Sequence, residues 1–310
     1  MNIFISANDR YIYPAQVMLT SFFHHNSDEK HSIYFMYSSV TKENIRKLEE
    51  IVQKNDSVFT PIWITETEFN GFGSTARFPV EVYYRFLIPS LLAEEDRALW
   101  LDVDMVINHS LKDLYNLCID DCVFAACESI GDHSYIMKAL GHQQNTAYIN
   151  SGVILFNIKN MRRKTTQDYL NYYIKHKESI TWFDQDILNG MFAGQIKVLS
   201  NEMYNVQVLN GRFPARQDVT DLADRAAIVH FIGHYKPWQK EYTNPCAEIW
   251  DRYHAITFGC GEGYILKRRL NRWMMRWIWI PFRSFRGRIY GRFESLHRLR
   301  NLLRGQNPSE

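Results

Sequence analysis

No stretch of this 310-residue sequence reaches ~18 uninterrupted apolar residues, so a membrane-spanning helix is not expected. The opening segment MNIFISANDRYIY lacks a basic region followed by an apolar core, which argues against secretion. Cysteine is sparse: Cys118, Cys122 and Cys127 lie close together, and Cys246 and Cys260 stand alone. That spacing makes neither a disulfide framework nor a zinc site, and a reducing compartment is expected. The body also lacks internal repeats and low-complexity linkers. Net charge is nearly absent, +2 from 36 basic and 34 acidic side chains. What the chain does have is 46% hydrophobic and 23% charged residues, enough to bury a core. Its length suits one large α/β domain, or a domain with an appendage.

The small net charge hides two opposed parts. From Tyr264 onward there are 12 basic residues and two acids, a net of +10. The 263 residues before it carry 24 basic and 32 acidic groups, a net of −8. The segment Gly259-Cys260-Gly261-Glu262-Gly263 sits where the sign changes and reads as a joint. We therefore expect a body over residues 1–263 and a tail over 264–310 with a partner of its own.

The body alternates strand and helix patterns. NIFISAN, HSIYFMYSS, SVFTPIWIT and RALWLDVDMVI read as strands. YIYPAQVMLTSFFHHN reads as a helix with Pro14 in its first turn, and TKENIRKLEEIVQKN as a second helix opened by Thr41. Such alternation predicts a largely parallel sheet covered by helices on both sides.

The chemistry concentrates in two places. In Leu99-Trp100-Leu101-Asp102-Val103-Asp104-Met105-Val106-Ile107, two acids enter an apolar strand one residue apart, so at strand period both carboxylates point the same way. Like charges there need a positive partner, and carboxylates suit Mg²⁺ or Mn²⁺. The bland alternative is a strand running into an acidic surface turn. In Ile228-Val229-His230-Phe231-Ile232-Gly233-His234-Tyr235-Lys236-Pro237-Trp238, a short apolar run delivers His230, which can ligate metal as neutral imidazole. Gly233 permits close backbone approach, and Lys236 is a point charge suited to phosphate. A satisfied core histidine followed by a turn is the alternative here. Together the two segments read as a diphosphate held between a metal and an ammonium.

With these residues in view, the chain resembles glycosyltransferase family 8, in particular its bacterial lipopolysaccharide and lipooligosaccharide glucosyl- and galactosyltransferases. The segments carrying the resemblance run in order along the body. They are Ala7-Asn8-Asp9-Arg10-Tyr11, Tyr84-Arg85, Leu101-Asp102-Val103-Asp104, Tyr148-Ile149-Asn150-Ser151-Gly152-Val153, Asp184-Gln185-Asp186-Ile187-Leu188-Asn189 and the His230–Trp238 segment. The resemblance implies an α/β nucleotide-diphospho-sugar transferase (GT-A) fold, a largely parallel mixed sheet flanked by helices. It also implies a UDP-sugar donor, Mn²⁺ or Mg²⁺, and retention of anomeric configuration.

Carried over by position, it implies that Asp102, Asp104 and His230 hold the metal, and that Lys236 and the Gly233 backbone meet the phosphates. Ala7, Asn8 and Tyr11 would surround the nucleoside, with Val103 also on the donor. Arg85, Asn150, Ser151, Asp184 and Gln185 would surround the transferred sugar, Gln185 and Asp184 being the catalytic candidates. Asp184-Gln185-Asp186 also reads as a helix start, and the two readings are compatible. Asn8 and Arg10 depart from the family pattern near the nucleotide, and Glu128 stands where galactosyl enzymes often have Asp. Which hexose is carried is therefore open between glucose and galactose.

In the tail, Leu266, Leu270, Trp273, Trp277 and Ile280 share one helical face, and Arg268, Arg272 and Arg276 another. After Pro281, the residues Ile289, Phe293, Leu296, Leu299 and Leu303 suggest a second amphipathic helix. Trp-rich stripes beside arginine suit the headgroup layer of an anionic membrane. Packing of the apolar face back on the body is the plain alternative, and nucleic acid is the less favoured partner. The expectation is a UDP-hexose transferase acting on a lipid-linked oligosaccharide core acceptor, cytoplasmic and peripheral on the inner membrane's inner face. A protein or polysaccharide primer as acceptor, or a non-catalytic membrane-binding protein on a degenerate body, are the alternatives.

Overall fold

The computed structural model describes residues 1–276, apart from 76, 77, 93, 211–220 and 223. Three strands open the chain: β1 (Asn2–Ser6), β2 (Ser32–Tyr37) and β3 (Val58–Trp63). They are joined by α1 (Ile12–His25) and α2 (Lys42–Lys54). Pro14 falls in the first turn of α1, where a missing N–H costs no helical bond. The Thr41 side chain accepts from Asn44 N and starts α2, which buries Leu48 and Val52.

Four strands follow: β4 (Arg97–Leu101), β5 (Met105–Ile107), β6 (Phe124–Glu128) and β7 (Ile149–Asn157). Then come β8 (Ile196–Leu199), β9 (Val206–Gln207) and β10 (Ile228–His230). The large sheet has the order β3-β2-β1-β4-β7-β6-β8, and β7 alone runs against its neighbours. The largely parallel sheet is thus present. In β4, Leu99 and Leu101 face one core while Ala98 and Trp100 face the other, so both sides of the sheet are buried.

The single strand expected over RALWLDVDMVI is two strands. β4 stops at Leu101, β5 starts at Met105, and they belong to different sheets. Asp102 and Asp104 therefore do not share a face by strand alternation. They lie in the link where the chain leaves the large sheet. The second sheet, β5-β10-β9, pairs His230 with Met105 and so returns the histidine to that link.

Two helices matter on the far side of the large sheet: α3 (Thr166–His176), opened by a Thr165/Asp168 capping box, and α4 (Asp184–Met191). Phe183, just before α4, holds φ 46, a left-handed conformation costly for an aromatic residue by about 1–3 kcal/mol. That turn starts the helix at Asp184 and presents Gln185 to β7.

After β10, α5 (Ala247–Phe258) ends at Gly259, whose φ of 63 closes the helix in the left-handed region. α6 (Glu262–Met274) then packs on α5. Its orientation goes against the plain alternative, in which the apolar face packs back on the body. Leu266, Leu270 and Trp273 are 64%, 54% and 55% exposed, whereas Arg272 is 7% exposed and faces Asp251 of α5. Trp277, Ile280 and the expected second tail helix lie outside the described residues. No helix among the described residues is long and apolar enough to cross a membrane.

Candidate active site

The link between β4 and β5 supplies Asp102, Val103 and Asp104; β10 supplies His230; the turn after it supplies Lys236. Ligand atoms of Asp102, Asp104 and His230 all lie within 4.8 Å of one another. His230 Nε2 is 3.1 Å from Asp104 Oδ1 and 3.9 Å from Asp102 Oδ2. Its other nitrogen, Nδ1, is 3.0 Å from Asn205 Oδ1. Asn205 Nδ2 donates to Asn150 Oδ1 at 2.9 Å, which leaves Oδ1 to accept from Nδ1–H. That leaves Nε2 as the nitrogen facing the two carboxylates, able to donate to Asp104 when protonated and to offer its lone pair to a cation when neutral.

Two cations serve the carboxylates. Lys236 Nζ, buried, donates to Asp104 Oδ2 and, at 2.8 Å, to Phe231 O. Burial alone would raise the Asp104 pKa, but Lys236 and His230 outweigh it and hold the carboxyl far below its usual range. Arg85 Nη2 donates to Asp102 Oδ1 at 3.1 Å, and its Nη1 lies 3.3 Å from Asp184 Oδ2 and donates to Ser151 O. The guanidinium sits 4.4 Å from the Trp100 ring centroid, and the Trp100 indole N–H donates to Asp102 Oδ1. Burial pushes the Asp184 carboxyl up to about 6, with Arg85 pulling the other way.

The sugar-side candidates form one chain. Gln185 Oε1 accepts from Asn150 Nδ2 and Ser151 N, each at 3.1 Å, and Gln185 Nε2 donates to the Tyr148 hydroxyl. Tyr148 in turn donates to Asp186, which also accepts from the backbones of Thr181 and Trp182. The amide of Gln185 is therefore fixed in one orientation, and Asp186 acts as its anchor rather than as a surface acid of the helix start.

Among the nucleoside candidates, burial together with the charges of Asp104 and Asp102 raises the Tyr11 hydroxyl to about 12, so it stays neutral beside them. Its ring meets Trp238 edge-on at 5.9 Å. Ala7, just before the Asn8 turn, and Val103, between the two aspartates, are both buried. Asn8 instead caps its own turn by accepting from Arg10 N, and Asp9 ties that turn to Thr41 and Asn44. Gly233 has φ 87, a backbone conformation that favours glycine, and a Cβ there would also press on the movable end of the Leu209 side chain, 2.8 Å from Cδ2. Glu128 ends β6 opposite Ile149, one residue from Asn150.

The cluster fits a divalent ion by its donor set, two carboxylates and an imidazole, and by the room left for it. A Cβ on Gly152 would lie 2.3 Å from His230 Cε1 and 2.9 Å from Asp102 Oδ2, so glycine keeps the cradle open. Reasoning from the sequence missed Asn205 and the roles of Trp100 and Tyr148. Asn205 carries no motif; only the pairing of β9 with β10 brings it to His230.

Residues 2–242 match the family described as Glycosyl transferase family 8. Glycosyltransferase GlyA of Streptococcus pneumoniae is 26% identical over 82% of this chain, which spans 34% of that protein's length. Lipopolysaccharide 1,2-glucosyltransferase of Escherichia coli is 24% identical over 76% of the chain and 73% of its own length. Among solved structures, the galactosyltransferase LgtC in complex with donor and acceptor sugar analogs superposes with a TM-score of 0.72. The match, at 21% identity, covers 85% of this chain and 99% of LgtC. The shared architecture is the GT-A fold.

Proposed function

The chain belongs to glycosyl transferase family 8, and on that footing we propose a retaining, metal-dependent hexosyltransferase. Its donor is a UDP-sugar, glucose or galactose, and its acceptor a lipopolysaccharide or lipooligosaccharide core. The observation that carries the reading is the convergence of Asp102, Asp104 and His230 beneath Gly152, with buried Lys236 alongside. These three side chains would hold Mn²⁺ or Mg²⁺, which when bound supplies a Lewis acid to the leaving diphosphate.

The chain's own residues do the rest. Lys236 is a fixed cation for diphosphate oxygens, already desolvated, so it needs no reorganisation as charge develops there. Gly233 lets backbone approach the same oxygens. Tyr11 would stack under the base beside Ala7 and Asn8, with Val103 against the donor. Arg85 ties Asp102 to Asp184 and so couples the metal side to the sugar side. The Gln185 amide, held by Asn150, Ser151 and Tyr148, is a poor nucleophile. This favours attack of the acceptor hydroxyl on the same face, its proton passing to the departing phosphate oxygen. The exposed Leu266, Leu270 and Trp273 of α6 support attachment of residues 264–310 to an anionic membrane, with the body on the cytoplasmic face of the inner membrane.

Release of UDP from UDP-glucose, UDP-galactose and UDP-N-acetylglucosamine with Mn²⁺, with and without a chelator, tests the reading. We expect turnover with one hexose donor that stops on chelation. Turnover unaffected by chelation rejects the metal, and silence with every donor rejects the donor class. A trapped glycosyl-enzyme on Gln185, Asp184 or Asp186 rejects same-face attack. Flotation with anionic liposomes tests the tail, and equal binding after removal of residues 264–310 counts against it.

A further inference from the structure

The inside-out orientation of α6 places its arginine face against the elements that carry the donor site. Arg268 makes three contacts there. Its Nε is 3.2 Å from Asp251 Oδ1, its Nη2 donates to Pro237 O, and its guanidinium lies 6.0 Å from the Trp250 ring centroid. Asp251 is fully buried and is shared with Arg272. Pro237 stands between Lys236 and Trp238. It has no N–H of its own, so its carbonyl is its one backbone hydrogen-bonding group. The Lys236 carbonyl is engaged by Gln239 N at 2.9 Å, so Arg268 takes the next carbonyl along the same turn.

A second route runs through aromatic rings. Trp250, beneath Arg268, packs on Trp238 at 5.8 Å, and Trp238 meets Tyr11 at 5.9 Å in an edge-on contact. One arginine of the tail helix thus touches the backbone beside the phosphate-side cation and the far end of the ring stack that reaches the base-side tyrosine.

We propose that Arg268 is a positioning residue for the donor site, holding the Lys236-Pro237-Trp238 turn in place from α6. The tail helix is then part of the donor-binding apparatus, in addition to presenting an apolar face outward. The proposal rests on the reading of Lys236 and Tyr11 as donor contacts. It separates two roles within one helix: Arg268 acts on the turn, while the neighbouring Arg269 pairs with Glu248 at the surface.

The test compares the full chain with Arg268→Lys and Arg269→Ala by UDP titration calorimetry in Mn²⁺ and by hydrogen exchange. Lysine keeps a charge for Asp251 but cannot also hold Pro237 O in a fork. We expect Arg268→Lys to bind UDP about tenfold more weakly at unchanged stoichiometry. Exchange at the Gln239 amide should quicken in the same variant, and Arg269→Ala should match wild type in both measurements. Partial unfolding would lower the stoichiometry and spare the affinity, so the two origins of a loss are distinct. Equal affinity and equal exchange in Arg268→Lys overturn the proposal, as does an equal loss in Arg269→Ala. Wild type that takes up no UDP removes the donor reading and this proposal with it, whereas wild type and Arg268→Lys binding alike remove this proposal alone.

Discussion

Around Asp102 and Asp104, three buried or half-buried carboxylates, the third being Asp184, share two permanent cations, Arg85 and Lys236. Beneath α6 the ratio is reversed, and two arginines share the single carboxylate of Asp251. Both clusters are desolvated, so neither surplus is dissipated by water. The first is short of positive charge, the sign of surplus that a bound cation would neutralise. The second is saturated with positive charge and closes a structural joint. Similar side chains at similar depth thus make a candidate ligand site in one place and a fastening in the other, and the sign of the surplus tells them apart.

The largest effect should come from the negative cluster. Asp104→Ala removes a metal-ligand candidate and the partner of both Lys236 and His230, and we expect transfer to fall by about 10³-fold or more. Some stability should be lost as well, since buried Lys236 loses its carboxylate, offset in part by the like charge removed from beside Asp102. Activity that survives in Asp104→Ala would make this cluster a fastening too. The matching change in the positive cluster is Asp251→Asn, which leaves Arg268 and Arg272 without their anion. Here the loss should be of stability, about 3–5 kcal/mol in denaturant unfolding. A variant that unfolds like wild type would mean that α6 is held by something other than Asp251.

The two regions were unequally legible in the sequence. Asp102, Asp104, His230 and Lys236 stand in compact motifs next to apolar runs, so residue type and order pointed to them. How they meet was misread: the break after Leu101 and the antiparallel pairing of β5 with β10 are tertiary facts, which alternation within one segment cannot contain. Asn205 was invisible because a lone asparagine between Tyr204 and Val206 has no periodicity to betray it. In the described part of the tail, helical spacing set Leu266, Leu270 and Trp273 on one face and Arg268 and Arg272 on another, and α6 does the same. It could not say which face would turn inward, because that depends on Asp251, a single buried acid in α5.

Asp184 gives a pH test of the negative surplus. Folding raises its pKa from 3.8 to about 6, chiefly by burial, so the native state keeps a proton that the unfolded chain has already released. Its contribution is favourable below the unfolded value and is lost as pH rises through about 6, a swing of about 3 kcal/mol. Unfolding free energies of wild type and Asp184→Asn between pH 4 and 7 should therefore diverge, with the variant gaining relative to wild type as pH rises. A constant difference across that range would show that Arg85 fully compensates the buried charge. Asn205→Ala should be milder. It releases His230 Nδ1 and should weaken Mn²⁺ binding by about tenfold, read by titration of the metal alone. Unchanged affinity would remove Asn205 from the account of the histidine tautomer.

The smallest effect sharpens the positive side of the comparison. Arg269 makes two good hydrogen bonds to Glu248, at 2.9 and 2.7 Å, better geometry than either arginine achieves at Asp251. Yet the Arg269 side chain is 47% exposed, and water offsets most of what the pair would otherwise contribute. Arg269→Ala should therefore cost less than about 1 kcal/mol, and that little should shrink further in high salt. If hydrogen-bond geometry governed instead of burial, this variant would destabilise α6 as much as Asp251→Asn does. A loss above about 2 kcal/mol would place the fastening of α6 at the surface, and the buried arginine pair would then need another explanation.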